Sequence, residues 1–157
     1  MAVTQQLARI PAAHLAACRQ SVETLGGLCS FTSIPERDYC DLDWWPVVLK
    51  SAWQLTGADD RTLAAGFDGD EEVNPACRDV LYSIDGHPVA EAVCGITPDA
   101  VRAVVPPDPE QIEARLGSLA REALGDPAEH LAEQHTVPRE FYVEAARREL
   151  AVARWWD

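Results

Sequence analysis

Basic residues are scarce in this chain of 157 residues: one lysine and twelve arginines stand against 26 acidic residues, and the net charge is −13. Binding of DNA or RNA depends on lysine and arginine side chains that neutralise phosphates, and the chain has no basic run or stripe. We therefore exclude nucleic acid and anionic membrane surfaces as direct partners. The acidity favours solubility, and it leaves a basic protein open as a partner.

Long apolar runs and a leader sequence are also lacking. No stretch approaches the ~18 apolar residues of a membrane-spanning helix, and residues 1–20 have neither the basic start nor the apolar core of a signal peptide. The five cysteines, at positions 18, 29, 40, 77 and 94, predict reduced thiols in the cytoplasm. The preference for arginine over lysine, beside abundant alanine, valine and proline, is typical of a bacterial genome rich in G and C.

Motifs for metal, phosphate and nucleophilic chemistry are absent as well. The cysteines have no C-x(2–4)-C spacing of the kind that zinc sites use. The chain contains neither a G-x-S-x-G elbow nor a glycine-rich phosphate loop. Segment 68–79 matches a calcium loop only in part, because Val73 occupies the position where that loop needs glycine. The sequence therefore predicts no metal ion and no cofactor.

The elements that are present are those of a globular domain. Hydrophobic residues make up 47% of the chain, and its length suits a single domain over 1–157. Helix starts are predicted at Pro98, Pro109 and Pro138, where proline follows a capping residue. Asp43 is predicted to cap another helix, and the glycine pair at 26–27 to end the first. The predicted helices are 11–24, 44–56, 60–66, 98–105, 109–124 and 138–148, and the predicted extended segments are 80–84 and 88–94.

Two tryptophans, Trp155 and Trp156, stand at the end of the chain. Termini fray unless they are tied down, and tryptophan has a large apolar surface, so we expect this segment to dock into the fold or onto a partner. Local patterns leave two structures open for 150–156, a continuation of the preceding helix or a β-strand. In a strand, Arg154 would lie on the wetter face, and Trp155 would be the more buried tryptophan.

Five stretches, in their order along the chain, resemble the YfbM-like family, a bacterial domain of unknown function. They are LARIPAAHLAAC, LDWWPVVLKSAWQLTG, EVNPACRD, HPVAEAVCGITPDAVRAV and FYVEAARRELAVARWWD. The resemblance implies an α/β (α+β) fold in which about four to six helices surround a small mixed sheet. It also implies an opening strand, and it favours a strand for 150–156. It implies no activity.

The loop that contains Asn74-Pro75 is the best candidate for a specific site. It combines charged, amide and aromatic side chains, and loops on a rigid scaffold often have a function. The alternative is an Asx-type turn with a purely structural role. Trp44 is a further candidate, because the three tryptophans of helix 44–56 cannot all face inward. The candidate ligand- or partner-binding residues are Glu72, Asn74, Arg78, Asp79, Tyr82 and Trp44.

Two functions remain open on the sequence alone. The first is a non-enzymatic cytoplasmic binding module whose partner is a basic protein or a small ligand. The second is a small hydrolase-like enzyme that uses the carboxylates of segment 68–79. Two or more ionisable groups that converge in a pocket near that segment would favour the enzyme, whereas a flat acidic face with tryptophan would favour the binding module.

Overall fold

The computed structural model describes residues 3–121 and 125–157. Its strands form one sheet in the spatial order β2-β1-β5-β4-β3, and every neighbouring pair is antiparallel. The expected α+β class is thereby confirmed, with an antiparallel rather than a mixed sheet. The strands are β1 (Gln5–Ile10), β2 (Tyr39–Asp41), β3 (Glu71–Glu72), β4 (Tyr82–Ile84) and β5 (Ala151–Trp156).

The described residues contain nine α-helices, more than the four to six expected. The number is higher because two predicted helices are divided and one predicted extended segment is helical. A 3₁₀ turn, Glu36–Asp38, precedes β2. The helices are α1 (Ala12–Gln20), α2 (Val22–Cys29), α3 (Pro46–Leu55), α4 (Asp60–Asp68), α5 (Gly86–Cys94), α6 (Pro98–Val104), α7 (Pro109–Leu116), α8 (Ser118–Arg121) and α9 (Pro127–Arg147).

The final segment is a strand in the middle of the sheet. β5 pairs with β1 on one side and with β4 on the other, so the helical alternative for 150–156 is excluded. Helix α9 ends at Arg147, and Glu149, with φ at +54°, turns the chain into the strand. Trp155 is 2% exposed and Trp156 is 47% exposed, which confirms the predicted alternation.

Side chains on the two faces of the sheet belong to two separate cores. Val152 packs with residues of α3 to α9, whereas Trp155 packs with residues of α1 and α2. The sheet is therefore covered by helices on both faces, and residues that alternate along β5 reach different layers. This arrangement puts Arg154 and Trp156 on the same face as Val152, toward α3 and α4.

Trp53 and His135 form a polar pair inside the larger core. The indole Nε1 of Trp53 lies 2.9 Å from Nδ1 of His135, and Nε2 of His135 lies 2.9 Å from the carbonyl oxygen of Ile96. Because an indole N–H can only donate, Nδ1 must accept and Nε2 must donate its proton to Ile96. His135 is fully buried, and burial lowers its pKa. The imidazole is therefore neutral in the folded protein.

The first predicted helix, 11–24, is divided and does not end at the glycine pair. Ser21 leaves the helical conformation, and its hydroxyl accepts a hydrogen bond from the backbone N–H of Thr24. It therefore caps a second helix, α2, which continues through Gly26 and Gly27. Leu25 and Leu28 of α2 are fully buried, and this packing outweighs the low helix propensity of two glycines.

Segment 88–94, predicted as extended, belongs to helix α5. Val89, Ala90 and Val93 are buried and share one helical face, and α5 packs against α4 and α9. The segment is too short for its alternation and helical spacing to be distinguished from sequence. The other extended segment, 80–84, is confirmed in part by β4.

The predicted start of a helix at Pro138 is wrong. Helix α9 begins eleven residues earlier, at Pro127, where the side chain of Asp126 accepts hydrogen bonds from the N–H groups of Ala128 and Glu129. Pro138 lies inside the helix and is buried. Proline in a helix interior costs ~3 kcal/mol or more, and the packing of α9 on α5 and α6 compensates for it.

Asp43 does not cap the third helix, and helix 109–124 is interrupted. Asp43 has a φ of +53°, and the N-cap position of α3 is Trp45. Helix α7 starts at Pro109, as predicted, but ends before Gly117, whose φ is +90°. The last three residues of the predicted helix, 122–124, lie outside the described residues. The starts at Pro98 and Pro109, and the helix predicted over 60–66, are confirmed.

Candidate functional site

Asn74 forms an Asx-type turn, which is the structural alternative that the sequence left open for this loop. Its side-chain Nδ2 donates to the carbonyl oxygen of Cys18 at 3.2 Å, and its Oδ1 accepts from the N–H of Ala76 at 3.2 Å. The second bond is that of an Asx turn, and the first ties the loop to α1. Both functional atoms of the amide are therefore already used within the fold.

The other candidates of the loop lie in two places, on the paired strands β3 and β4 and on the turn between them. Glu72 is the sheet partner of Tyr82, while Arg78 and Asp79 are exposed on the turn between β3 and β4. The ring of Tyr82 lies under the guanidinium group of Arg154, with 4.4 Å between the guanidinium carbon and the ring centre. Of these residues, Tyr82 is thus the one that contacts a wall residue, Arg154, of the cavity described below.

Trp44 packs in another part of the molecule. Its ring stacks on Trp45 with 4.2 Å between ring centres, and Trp45 lies 4.8 Å from the ring of His130 on α9. Trp44 is half-buried, whereas Trp45 and Trp53 are buried. The tryptophans of this region therefore serve mainly the core.

A cavity of about 450 Å³ lies between α3 and the ends of β1 and β5. This volume is in the range of small-molecule sites. Helix α3 contributes Val47, Lys50, Ser51 and Gln54 to its wall. Their spacing of three and four residues places them on one helical face, opposite the face that carries the buried Leu49.

The sheet forms the other wall of the cavity with Gln5, Arg154 and Trp156. Gln5 and Trp156 are directly paired across β1 and β5, and Arg154 follows on the same face of β5. The end of α4 adds Phe67 and Asp68. Residues from the first, middle and last parts of the chain therefore meet in this one cavity.

Arg154 is held in place from two sides. Its guanidinium group stacks on Tyr82, and its Nε donates to the carbonyl oxygen of Asp68 at 2.9 Å, with Nη2 donating to the same oxygen. Burial lowers the pKa of Arg154, but a guanidinium group stays charged near neutral pH because its ordinary pKa is so high. The cavity therefore has a fixed positive charge in its wall.

Lys50, the single lysine of the chain, provides a second cation. Its Nζ lies 2.6 Å from Oδ2 of Asp68. Both side chains are partly exposed, and pairs of this kind contribute only ~0–1 kcal/mol to stability. Two cations and one carboxylate thus line this cavity, in a protein with twice as many acidic as basic residues.

Gln5 carries an acceptor that lacks a partner. Its Nε2 donates to the carbonyl oxygen of Phe67 at 2.5 Å, while its Oε1 is buried and has no hydrogen-bond partner among the described residues. The residue is only 1% exposed. Most buried polar atoms in native proteins are paired, so this oxygen is an exception beside the cavity.

Gly69 allows the chain to pass close to the Arg154–Tyr82 stack. Its φ is +86°, and a Cβ atom at this position would lie 2.5 Å from Cβ of Tyr82 and 3.4 Å from Nε of Arg154. The preceding carbonyl group, that of Asp68, is the one that Arg154 binds. A residue with a side chain would therefore disturb the support of the cation.

The carboxylates of segment 68–79 are not gathered at one point. Asp68 pairs with Lys50, Asp70 accepts from the N–H of Asp85 at 2.6 Å, and Glu71 lies 3.7 Å from Arg19. Across residues 3–121 and 125–157, no three His, Cys, Asp or Glu side chains are grouped closely enough to hold a metal ion.

Sequence reasoning missed this cavity, although the sequence contains part of the information that points to it. Strand alternation placed Arg154 and Trp156 on one face, and Lys50 is conspicuous as the single lysine. Nothing in the sequence connects either of them with Gln5. Their meeting depends on the pairing of β1 with β5 and on the packing of α3, which lie far apart along the chain.

The comparison with solved structures supports the fold. The chain is similar to the crystal structure of a protein of unknown function, YfbM from Escherichia coli, with a TM-score of 0.59, 12% identity and 98% of each chain covered. The YfbM-like fold that the sequence stretches implied is therefore confirmed. No family model and no curated protein matches this chain. Among the described residues, no helix is both long and apolar enough to cross a membrane.

Proposed function

We propose that this protein is a cytoplasmic binding module that holds a small organic anion in the cavity between α3 and β5. The observation that carries the proposal is the meeting of Lys50 and Arg154, two of only 13 basic residues, around one cavity. Trp156 adds an exposed aromatic surface at the same place. The five free cysteines support a reducing compartment.

The two cations would act differently on a carboxylate or a similar group. Arg154 is anchored by Tyr82 and Asp68, so little side-chain entropy is lost when it binds an anion. Among the described residues, Lys50 pairs only with the exposed carboxylate of Asp68, so it can turn toward a ligand at small cost. Charge-assisted hydrogen bonds of this kind are about twice as strong as neutral ones.

The net charge of −13 opposes an anionic ligand only at long range. At physiological ionic strength the screening length is about 8 Å, so distant carboxylates act weakly on a ligand inside the cavity. The nearby cations act at contact distance and without that screening. We therefore expect slow association at low salt and a bound state stabilised by the local positive charge.

Two other functions have less support. A basic protein remains a candidate partner because of the net charge alone. The hydrolase alternative gains from the convergence of Lys50, Asp68 and Arg154 in a pocket, but the hydrolysis of glycosides, for example, usually needs two carboxyl groups that flank the bond to be cleaved. Asp68 is the one carboxylate among the described residues that line this cavity.

Calorimetric titration with phenylacetate and phenylacetamide tests the proposal. The two probes differ chiefly in charge, and we expect the amide to bind at least about tenfold more weakly. Arg154→Gln and Lys50→Gln should each weaken phenylacetate binding, with the larger effect for Arg154. Arg37→Gln, at an arginine whose side chain is 76% exposed, is the neutral control. Equal binding of both probes, or no binding of either, would contradict the proposal.

Arg78→Gln separates the cavity from the loop that the sequence favoured. If the ligand binds at the loop, Arg78→Gln will weaken phenylacetate binding and Arg154→Gln will not. Circular dichroism and thermal melting of each variant show whether a loss of binding reflects a loss of folding. Our proposal expects Arg78→Gln to bind as the wild type does.

A further inference from the structure

We infer that the anionic group of the ligand is a carboxylate whose two oxygens bind the outer edge of the Arg154 guanidinium group, the edge formed by Nη1 and Nη2. The inference rests on the proposed function and narrows its ligand from small organic anions to monocarboxylates. It starts from the donors of Arg154 that the fold leaves free. A guanidinium group has five N–H donors in one plane, and their directions are fixed.

The inner edge of this guanidinium group is occupied by the protein itself. Nε and Nη2 of Arg154 both donate to the carbonyl oxygen of Asp68. These two nitrogens each direct one N–H to the same edge of the planar group. A ligand therefore cannot use the inner edge without breaking two hydrogen bonds of the folded chain.

The outer edge is free and open to solvent. Nη1 of Arg154 has no hydrogen-bond partner among the described residues, and it is not one of their buried unpaired atoms, so water reaches it. The second N–H of Nη2 lies along the same edge because the group is planar. Arg154 also lines the cavity. Two parallel N–H donors thus remain for an anion.

Tyr82 limits the directions from which an anion can approach these donors. Its ring centre lies 4.4 Å from the guanidinium carbon of Arg154, so the ring covers one face of the planar group. The faces of aromatic rings carry partial negative charge, and an anion is repelled on that side. Approach in the guanidinium plane avoids the ring. A carboxylate, with two oxygens in one plane, matches a pair of parallel donors in this direction.

The charges around the cavity favour a ligand with a single negative charge. Among the described residues that line it, Lys50 and Arg154 are cations and Asp68 is an anion, so one positive charge is in excess. A carboxylate neutralises this excess. A phosphate monoester carries a charge of about −1.5 to −2 near neutral pH and makes the cavity negative, in a protein whose net charge is already −13.

Calorimetric titration with phenylacetate and phenyl phosphate tests the choice of anion. In both probes a single atom joins a phenyl ring to the oxyanion, so they differ chiefly in the shape and charge of that group. We expect phenyl phosphate to bind wild-type protein at least about fivefold more weakly. Equal or tighter binding of phenyl phosphate would overturn the inference and leave the proposed anion site standing. If neither probe binds, both are overturned.

Arg154→Lys tests the two-point contact, because lysine keeps the positive charge and lacks the paired donors. We expect this variant to bind phenylacetate at least about tenfold more weakly than wild type. Arg37→Lys, at an arginine whose side chain is 76% exposed, is the matched control and should stay within about twofold. Melting temperatures show whether each variant is folded. Unchanged binding by folded Arg154→Lys would mean that Arg154 acts through its charge alone, against the inference.

NMR of wild-type protein with isotope-labelled arginine keeps the inference testable if Arg154→Lys does not fold. Phenylacetate on the outer edge should shift the Nη1 and Nη2 proton signals of Arg154 and leave its Nε proton signal in place, because Nε stays on the carbonyl oxygen of Asp68. Bound phenylacetate that leaves the Nη signals unchanged, or that shifts the Nε signal instead, would contradict the two-point contact.

Discussion

Replacing Gly69 by alanine tests how closely the chain passes the Arg154–Tyr82 stack, and Gly117 provides a matched control. The two glycines have almost the same backbone conformation, with φ and ψ of 86° and 161° for Gly69 and of 90° and 166° for Gly117. Residues other than glycine rarely adopt it. A Cβ on Gly69 would lie 2.5 Å from Cβ of Tyr82, whereas one on Gly117 meets no described atom within 4 Å.

The two substitutions therefore share a conformational cost and differ in a steric one. Gly117→Ala should lower the free energy of unfolding by ~1–3 kcal/mol, the usual cost of a residue held in such a region. Gly69→Ala adds an overpacking cost of ~1–3 kcal/mol, which makes ~2–6 kcal/mol in total. At its upper end this loss equals the whole stability of a domain at the lower end of the usual range of ~5–15 kcal/mol.

Urea denaturation measures both losses of stability, provided that the slope of the free energy of unfolding against urea concentration is the same in the variants and the wild type. Because Tyr82 supports Arg154, Gly69→Ala should also weaken the binding of phenylacetate, and Gly117→Ala should not. Equal losses of stability in the two variants would refute the steric reasoning. A Gly69→Ala variant that binds phenylacetate like the wild type would refute its link to the cavity.

Three further predictions concern the core and the thiols. Trp155→Ala should cost ~3–5 kcal/mol and lower the melting temperature by at least about 6 °C, while Trp156→Ala should cost less than ~1 kcal/mol; similar losses would contradict the described packing of β5. Burial lowers the pKa of His135, so below the ordinary value of about 6.5 the unfolded chain binds a proton that the folded chain does not. The free energy of unfolding should therefore fall as the pH drops from about 7 to about 5, and His135→Asn should lose this part of the pH dependence in urea titrations; an unchanged slope would show that other groups cause it. Thiol titration of the denatured, unreduced protein should count five free cysteines, and a count of three or fewer would contradict the reducing compartment.

The parts of the fold that sequence reasoning predicted have strong local causes. Thr97 and Asp108 accept hydrogen bonds from the N–H groups of Ala100 and Glu110, so capping residue and proline together mark the two helix starts. The burial of Trp155 also has a local cause, because alternation along a strand puts it on the face opposite Arg154. The resemblance to YfbM-like domains supplied the choice between strand and helix.

The features of the fold and of the site that sequence reasoning missed depend on packing between elements that lie far apart along the chain. Local rules place Pro138 in the first turn of a helix and not in its interior, yet α9 continues through it because its buried face rests on α5 and α6. The cavity has the same kind of origin. Gln5, Lys50 and Arg154 come together only through sheet pairing and helix packing, which the spacing of residues along a sequence does not encode.

Mapping of backbone amide signals by NMR during titration with phenylacetate tests the central claim most directly. The claim is that a small organic anion binds between α3 and β5. The account predicts that the signals of Val47, Ser51, Gln54 and Arg154 shift together and saturate at one concentration, while those of Arg78 and Asp79 stay in place. Shifts confined to the loop around Arg78, or none at all, would contradict it.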